Sequence, residues 1–544
     1  MTIGLAQLNF HVGNIEVNTS KIIRHSLDLF NQGCDLVVFP ELAICGYPPL
    51  DILEYEHFVD QCLKALNEIA LHIPMDHAVI VGSPAHNPNK GKPLINAAFL
   101  LTKDTVRMIH GKNLLPDYDV FDEYRHFQPQ KNLGVIQWKD KTIAVTICED
   151  LWEEKECVYD HSVQSLIKNA RPDIILNISA SPFHLQHFTE RFDVMSKNAR
   201  EHNCLLIHVN QTGANTDLIF DGRSLIMYPA KNLFWQGPAF GECTACIDTD
   251  TLKLFSGEYT NFSCEEEELY HALICGIKDF FDKNRFSKAV LGLSGGIDSA
   301  LVYVLLCHAI GKENVKAILL PSPFSSQSSI DDALQLIGNL QGDYDIFPIH
   351  SIYQEINQTL SKQWQQDIFD ITQENIQARI RGMILMAYSN RYGYILINTT
   401  NKSEMAVGYG TLYGDMCGAL SVIGDLYKTT VYRLSYWINR NFENIIPDNI
   451  LQKAPSAELR PGQKDVDSLP PYEILDLILK DYLEDKKSPE EISKNNHLDI
   501  AIVNEICQKV NANEFKRFQA PPVLRVTKKA FGWGRRIPLV SKWR

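Results

Sequence analysis

Short apolar runs with polar breaks recur along the first half of the chain. They predict strands at Thr2–Phe10, Asp35–Phe39, Ala78–Gly82, Ala97–Leu101, Lys141–Ile147, Asp173–Ile178, Leu205–Val209 and Ser224–Met227. Apolar residues at helical spacing fall between some of them, over Val17–Asn31, Phe58–Leu71, Ser162–Asn169 and Glu190–His202. Many strands with a few long helices predict layered packing. Near residues 250–268 the texture changes: a turn-like Asp248–Thr251 is followed by the acids Glu265–Glu268 and an apolar-periodic helix over Leu269–Phe281. Beyond it, strands (Ala289–Leu293, Val315–Leu320, Tyr344–Ile349, Tyr394–Asn398) alternate with helices (Ala300–Ile310, Ser329–Leu340, Glu374–Asn390). That alternation predicts a doubly wound parallel sheet, which binds ligands at the carboxyl ends of its strands. The expected division is one domain over 1–250, a linker over 251–268 and a second domain over 269–544.

Composition narrows the function classes. The chain has 544 residues, enough for at least two large domains. No apolar run approaches the roughly 20 residues of a membrane helix, and no secretory signal precedes the first strand. Thirteen scattered cysteines, an odd number, read as reduced thiols in a cytoplasmic setting rather than a disulfide framework. The net charge of −14 opposes nucleic acid and anionic membranes as partners. The pair Cys243 and Cys246 has half a zinc site's spacing but no second pair, and the 17 histidines show no paired ligand spacing, so no zinc is inferred. The basic, aromatic tail Lys528–Arg544 reads as a partly ordered terminus.

Three places in the first half share one pattern, an apolar strand ending in a reactive residue. Val37-Val-Phe-Pro ends at Glu41, Arg107-Met-Ile-His-Gly at Lys112, and Ile143-Ala-Val-Thr-Ile at Cys148, with Glu149 and Asp150 following. Attack on an unactivated amide needs a thiolate, a base to make it and a positive group for the oxyanion. Cys, Glu and Lys supply these, and a lysine nearby raises the thiolate fraction. Each residue alone also fits a blander role, a buried small hydrophobe for the cysteine or a loop acid for the glutamate.

The words around them resemble the nitrilase superfamily. Pro40-Glu-Leu-Ala-Ile-Cys-Gly-Tyr-Pro-Pro resembles its first signature, Gly111–Phe127 its lysine segment, and Cys148-Glu-Asp-Leu-Trp its cysteine elbow, in the family's order. The resemblance implies an α-β-β-α sandwich, with Glu41 as general base, Lys112 as oxyanion partner and Cys148 as nucleophile. The wording is most similar to the glutaminase domain of glutamine-dependent NAD synthetases. By that likeness Tyr118, Ser181 and His187 would contact glutamine, with His187 standing where Lys or Arg is usual.

In the second half, Ala289-Val-Leu-Gly-Leu-Ser-Gly-Gly-Ile-Asp-Ser-Ala reads strand, tight loop, helix. Adjacent glycines let backbone N–H groups approach a phosphate, and the helix N-terminus favours the anion. No Gly-Lys-Ser/Thr follows and no GxGxxG is present, so neither a Walker loop nor a dinucleotide fingerprint applies. Ser294-Gly-Gly-Ile-Asp-Ser299 resembles the pyrophosphate loop of N-type ATP pyrophosphatases. That resemblance implies ATP contacts from Gly292, Leu293, Ser294, Gly295, Gly296, Ile297, Asp298 and Ser299, and Mg²⁺ held by Asp298. Asp370–Met383 resembles the NAD synthetase helix that meets the nicotinate dinucleotide, with Asn375 as a contact. Asn398–Asp415 resembles that family's polar, glycine-rich signature. It implies Thr399 for ATP and Glu404 for deamido-NAD⁺ or Mg²⁺. Asp425 and Lys428 match a following stretch, where Lys428 either faces phosphates or is a solvated helix lysine. Glu514–Pro522 resembles a C-terminal segment whose Lys516 meets the dinucleotide.

Together the resemblances cover nearly the whole chain. They imply an α/β protein, a nitrilase-like sandwich followed by a Rossmann-like doubly wound sheet. The implied reaction is ATP-dependent amidation of deamido-NAD⁺ with ammonia from L-glutamine, through an acyl-adenylate, in a homo-oligomer that channels ammonia between its sites. The acidic charge and the lack of an RNA-binding module oppose a tRNA-thiolating enzyme. Asparagine or GMP synthetases carry different glutaminase domains. A catalytically dead nucleotide-binding protein would not be expected to retain Glu41, Lys112, Cys148 and Ser294–Ser299 together.

Overall fold

The computed structural model describes residues 1–152, 162–230, 232–254, 262–364 and 369–542. The chain divides into two units, Met1–Ser263 and Cys264–Arg544. Of the linker expected at 251–268, residues 255–261 lie outside the described residues, as do 543–544 of the basic tail. The acids Glu265–Glu268 form the first turn of a helix, Glu265–Asn284, where they complement the helix dipole.

Alternation of side chains along the strands builds the first unit. One sheet runs, in spatial order, Lys253–Leu254, Cys243–Asp248, Thr2–Gln7, Leu36–Val38, Ala78–His86, Leu94–Thr102 and Thr105–Gly111. The other runs Asn232–Gln236, Leu225–Tyr228, Leu205–Asn210, Ile174–Ser179, Lys141–Ile147 and Gly134–Trp138. Leu36, Val38, Ile80 and Leu100 of the first pack against Ile143, Val145, Leu176 and Ile207 of the second. The intervening residues point outward. Val37, Val79 and Phe99 bury against Ile22 and Leu29 of helix Ile15–Asn31 and Phe58 and Val59 of helix Glu56–His72. Ala144, Ile175 and Leu206 bury against Val163 and Ile167 of helix Val163–Ala170 and Met195 and Ala199 of helix His187–His202. Helix, sheet, sheet, helix is the expected sandwich.

In the second unit five parallel strands lie in the order Asp343–Ile346, Val315–Leu319, Ala289–Gly292, Ile395–Asn398 and Leu420–Ser421. The chain enters at the central strand, builds outward to one side, then crosses to the other. The order therefore reverses between Ala289–Gly292 and Ile395–Asn398, and a crevice opens at their carboxyl ends. Helix Ile297–Ile310 is buried almost throughout, which explains why its sequence is apolar on all sides. It starts three residues earlier than the apolar pattern indicates, because Ile297, Asp298 and Ser299 form its first turn. A separate helical core forms around Leu475, Ile478, Val503 and Ile506 of helices Tyr472–Leu483 and Ile500–Ala512, which the sequence reading left unassigned.

Two candidate active sites

In the first unit, Glu41, Lys112 and Cys148 each follow a strand end and each is buried. The Lys112 Nζ donates to Glu41 Oε1 at 2.8 Å and to both oxygens of Glu123, at 2.8 and 2.9 Å. Asn96 Nδ2 donates to Glu41 Oε1 at 2.7 Å and to Glu123 Oε2 at 3.2 Å, and Tyr47 donates to Glu123 Oε1 at 2.9 Å. The backbone N–H of Ala180, just past strand Ile174–Ser179, donates to Glu41 Oε2 at 3.0 Å. One ammonium thus serves two buried carboxylates. Burial works against its charge, but Glu123 and Glu41 hold its pKa well above the ordinary lysine value. Burial pushes Glu123 upward, and Lys112 only partly offsets it.

Cys148 opens a tight turn, Cys148–Leu151, with φ of +42°, a left-handed value that costs a non-glycine residue energy. Burial raises its thiol pKa, Glu41 raises it further, and Lys112 opposes both. Asp150 holds this strained turn. Its Oδ2 accepts from Ile147 N–H at 2.9 Å and pairs with His110 Nε2 at 2.8 Å. Its Oδ1 accepts from the N–H groups of Asn113 and Leu114, at 2.9 and 3.0 Å. The cysteine turn is thereby tied to the segment that carries Lys112.

Tyr118, 47% exposed, donates to Glu149 Oε1 at 3.0 Å. Ser181 Oγ lies 2.8 Å from His187 Nε2, and the His187 ring stacks on Trp152 with centroids 5.4 Å apart. Sequence reasoning missed Glu123. It lies inside the lysine segment, among Asp117, Asp119 and Asp122, with nothing in its spacing to mark it.

In the second unit the crevice holds a cavity of about 480 Å³, lined by the 294–299 loop, Asn375, Thr399, Glu404, Lys428 and Lys516. The loop is internally braced. Ser299 Oγ accepts from Ser294 N–H at 3.2 Å and lies 3.1 Å from Ser294 Oγ, which accepts from Gly296 N–H at 3.2 Å. Gly295 has φ of +79°, and a Cβ there would sit 2.1 Å from the Ser329 carbonyl oxygen, so only glycine fits.

Lys428 Nζ pairs with Asp298 Oδ2 at 2.5 Å and Glu404 Oε1 at 3.5 Å. Burial opposes the Lys428 charge, but those two carboxylates raise its pKa. Burial, with Asp298 adding to it, pushes the Glu404 carboxyl up to about 8. Asn401 caps the helix Lys402–Val407 and donates from Nδ2 to Asp298 Oδ1 at 2.9 Å. Asn375 Oδ1 accepts from Thr411, and Lys516 donates to the carbonyls of Gly408 and Gly410. Asp425 is structural: buried, it pairs with Lys402 and accepts from the N–H groups of Val526 and Thr527, tying down the C-terminal segment. Arg381 and Lys453 also line the cavity and were not singled out in the sequence. Burial lowers Arg381 to about 10. Cys243 and Cys246 lie three apart on one strand, which sends them to opposite faces and rules out a shared metal.

Fold and side chains together define an amidotransferase-type chain, a thiol amide-hydrolase unit followed by a nucleotide-binding unit. The carbon–nitrogen hydrolase family matches residues 2–255, and the NAD synthase family matches residues 269–520. A glutamine-dependent NAD(+) synthetase of Synechocystis sp. is 44% identical over 99% of this chain and 98% of its own. The corresponding protein of Aquifex aeolicus is 38% identical over the full length of both. Among solved structures, the Acinetobacter baumannii glutamine-dependent NAD+ synthetase in complex with ADP is 33% identical, with a TM-score of 0.78 over 100% of this chain and 99% of that one. The Cytophaga hutchinsonii structure, at 21% identity and a TM-score of 0.85 over 100% and 98%, shares the fold. The chain belongs to the glutamine-dependent NAD(+) synthetase family.

Proposed function

We propose a residue-level division of the family's reaction, the ATP-dependent amidation of deamido-NAD⁺ with glutamine nitrogen. The observation that carries it is the convergence, within each unit, of separate strand-end residues on one buried site.

In the first unit Glu41 takes the Cys148 proton as the sulfur attacks the glutamine side-chain carbonyl. Lys112 stabilises the tetrahedral oxyanion, and Glu123 holds Lys112 charged and in place. The proton on Glu41 passes to the departing nitrogen, ammonia leaves, and a thioester remains. Water, activated by Glu41, then releases glutamate. Tyr118, Ser181 and His187 position the glutamine. The buried Lys112–Glu123 pair supports this reading, because Lys112 keeps a carboxylate partner when Glu41 takes a proton.

In the second unit the nicotinate carboxylate attacks the α-phosphate of ATP and pyrophosphate leaves. Ammonia then displaces AMP from the acyl-adenylate. The 294–299 loop and Lys428 receive the pyrophosphate, Thr399 contacts ATP, and Asn375, Glu404 and Lys516 contact the dinucleotide. Asp298 and Glu404 are two facing carboxylates in one crevice, a hard-oxygen donor set suited to Mg²⁺. Bound there, Mg²⁺ supplies charge neutralisation for the phosphates. The same proposal takes the protein to be cytoplasmic and homo-oligomeric. The described cysteines are free thiols, and among the described residues no helix is long and apolar enough to cross a membrane.

The test compares wild type with Cys148→Ala, given ATP, Mg²⁺, deamido-NAD⁺ and either glutamine or an ammonium salt. The variant should make NAD⁺ from ammonium at near wild-type rate and lose at least about 10³-fold with glutamine. Equal loss from both nitrogen sources would overturn the division of labour.

A further inference from the structure

Cys34 ends the turn after helix Ile15–Asn31, and Cys246 lies within strand Cys243–Asp248. Both are fully buried, and their sulfurs stand 2.8 Å apart. Ordinary non-bonded contacts are ~3.5–4.0 Å between carbon atoms and a disulfide is ~2.05 Å. The two thiols are therefore pressed together before any bond exists. Gly4 makes this approach possible. It pairs with Cys246 in the ladder, and a Cβ on it would meet Cys34 Sγ at 3.0 Å and Leu29 Cδ1 at 3.2 Å. Cys34 reaches across strand Thr2–Gln7 through the space that a side chain would fill.

Either thiol can donate its proton to the other sulfur, so the two share one hydrogen bond. Cys246 in turn lies 3.8 Å from Gln32 Oε1. Gln32 and Gly33 are exposed, so one turn of chain separates the sulfurs from solvent.

We propose that Cys34 and Cys246 form an oxidation site that closes to a reversible disulfide under hydrogen peroxide. The thiolate of one cysteine of the pair attacks a peroxide oxygen, the O–O bond breaks, and hydroxide leaves to become water. The resulting sulfenic acid is attacked by the sulfur of the other cysteine. Its hydroxyl departs with that second thiol's proton as a second water. Two thiols and one peroxide give one disulfide and two waters. The bond joins the corner after the first helix to strand Cys243–Asp248 and closes nearly the whole first unit into one loop, which restricts the unfolded chain.

The experiment uses full-length Cys148→Ala protein, so that the catalytic thiol does not react. After graded hydrogen peroxide, free thiols are blocked with N-ethylmaleimide in denaturant and peptides are mapped by mass spectrometry. The expected result is a Cys34–Cys246 cross-linked peptide that dithiothreitol dissolves, with a reversible rise in Tm that the further substitution Cys34→Ser abolishes. Full alkylation of both cysteines at doses that oxidise free glutathione would overturn the proposal. So would Cys246 sulfinic acid without a cross-link.

Discussion

Asp150 lets a strained nucleophile exist at all. Four donors converge on its two oxygens inside a fully buried site, and each anchors a different point of the turn or of the lysine segment. An amide in its place has one acceptor oxygen, and its NH₂ would face donors already committed to bonding. Each buried group left unpaired costs about 1–3 kcal/mol. A displacement of about 1 Å at the reacting sulfur costs about 10²-fold in rate. Asp150→Asn should therefore lower kcat/KM for glutamine hydrolysis about 100-fold while ammonium-supported NAD⁺ synthesis stays within about twofold. Parallel assays with the two nitrogen donors check this, and equal loss in both would show general unfolding instead. The residue scale also shows where sequence reading stops. Glu41, Lys112 and Cys148 were legible because each ends an apolar strand inside a distinctive phrase. Glu123 was not, because its role exists only once Lys112 folds back to it from eleven positions away.

At the scale of elements, the glycine loop and the helix after it act as one device. Strand Ala289–Gly292 delivers the chain to the crevice, Gly295 turns it against Ser329, and helix Ile297–Ile310 begins within the loop. Gly295→Ala adds a Cβ 2.1 Å from a backbone oxygen at a left-handed φ. The expected outcome is at least a tenfold rise in KM for ATP with either nitrogen donor, while glutaminase turnover measured as glutamate release stays near wild type. Unchanged ATP kinetics would remove the loop from the nucleotide site. The parallel order of the sheet and its crevice were readable from alternating strands and helices. The helices of residues 472–512 were not assigned, since their core is made with other helices and the C-terminal segment and leaves no alternation with strands to read. Boundaries slipped by a turn where polar N-terminal residues belong to a helix, as at His187–His202, expected from Glu190.

At the scale of the whole molecule, each unit has its own apolar interior, and both carry some apolar side chains outward. Met383 and Met386, on helix Ile371–Tyr392, are 56% and 41% exposed, and Tyr344 and Ile346 on the edge strand are similarly open. Clustered exposed apolar residues mark interaction surfaces, and an open parallel edge adds unpaired backbone groups. The proposed homo-oligomer would use the side of helix Ile371–Tyr392 that carries Met383 and Met386, three positions apart. Size-exclusion chromatography with light scattering should give wild type a multiple of the chain mass and shift Met386→Glu toward one chain. A monomeric wild type at micromolar concentration would dismiss the oligomer.

The pairing of Lys428 with Asp298 carries a consequence for how ligands enter. Within the crevice Asp298 serves as the counter-ion of Lys428. An arriving phosphate must draw Lys428 away and leave Asp298 uncompensated. Entry at Lys428 is thus an exchange of ions. The exchange closes only when anion and cation arrive together, so each should titrate weakly alone and tightly in the presence of the other.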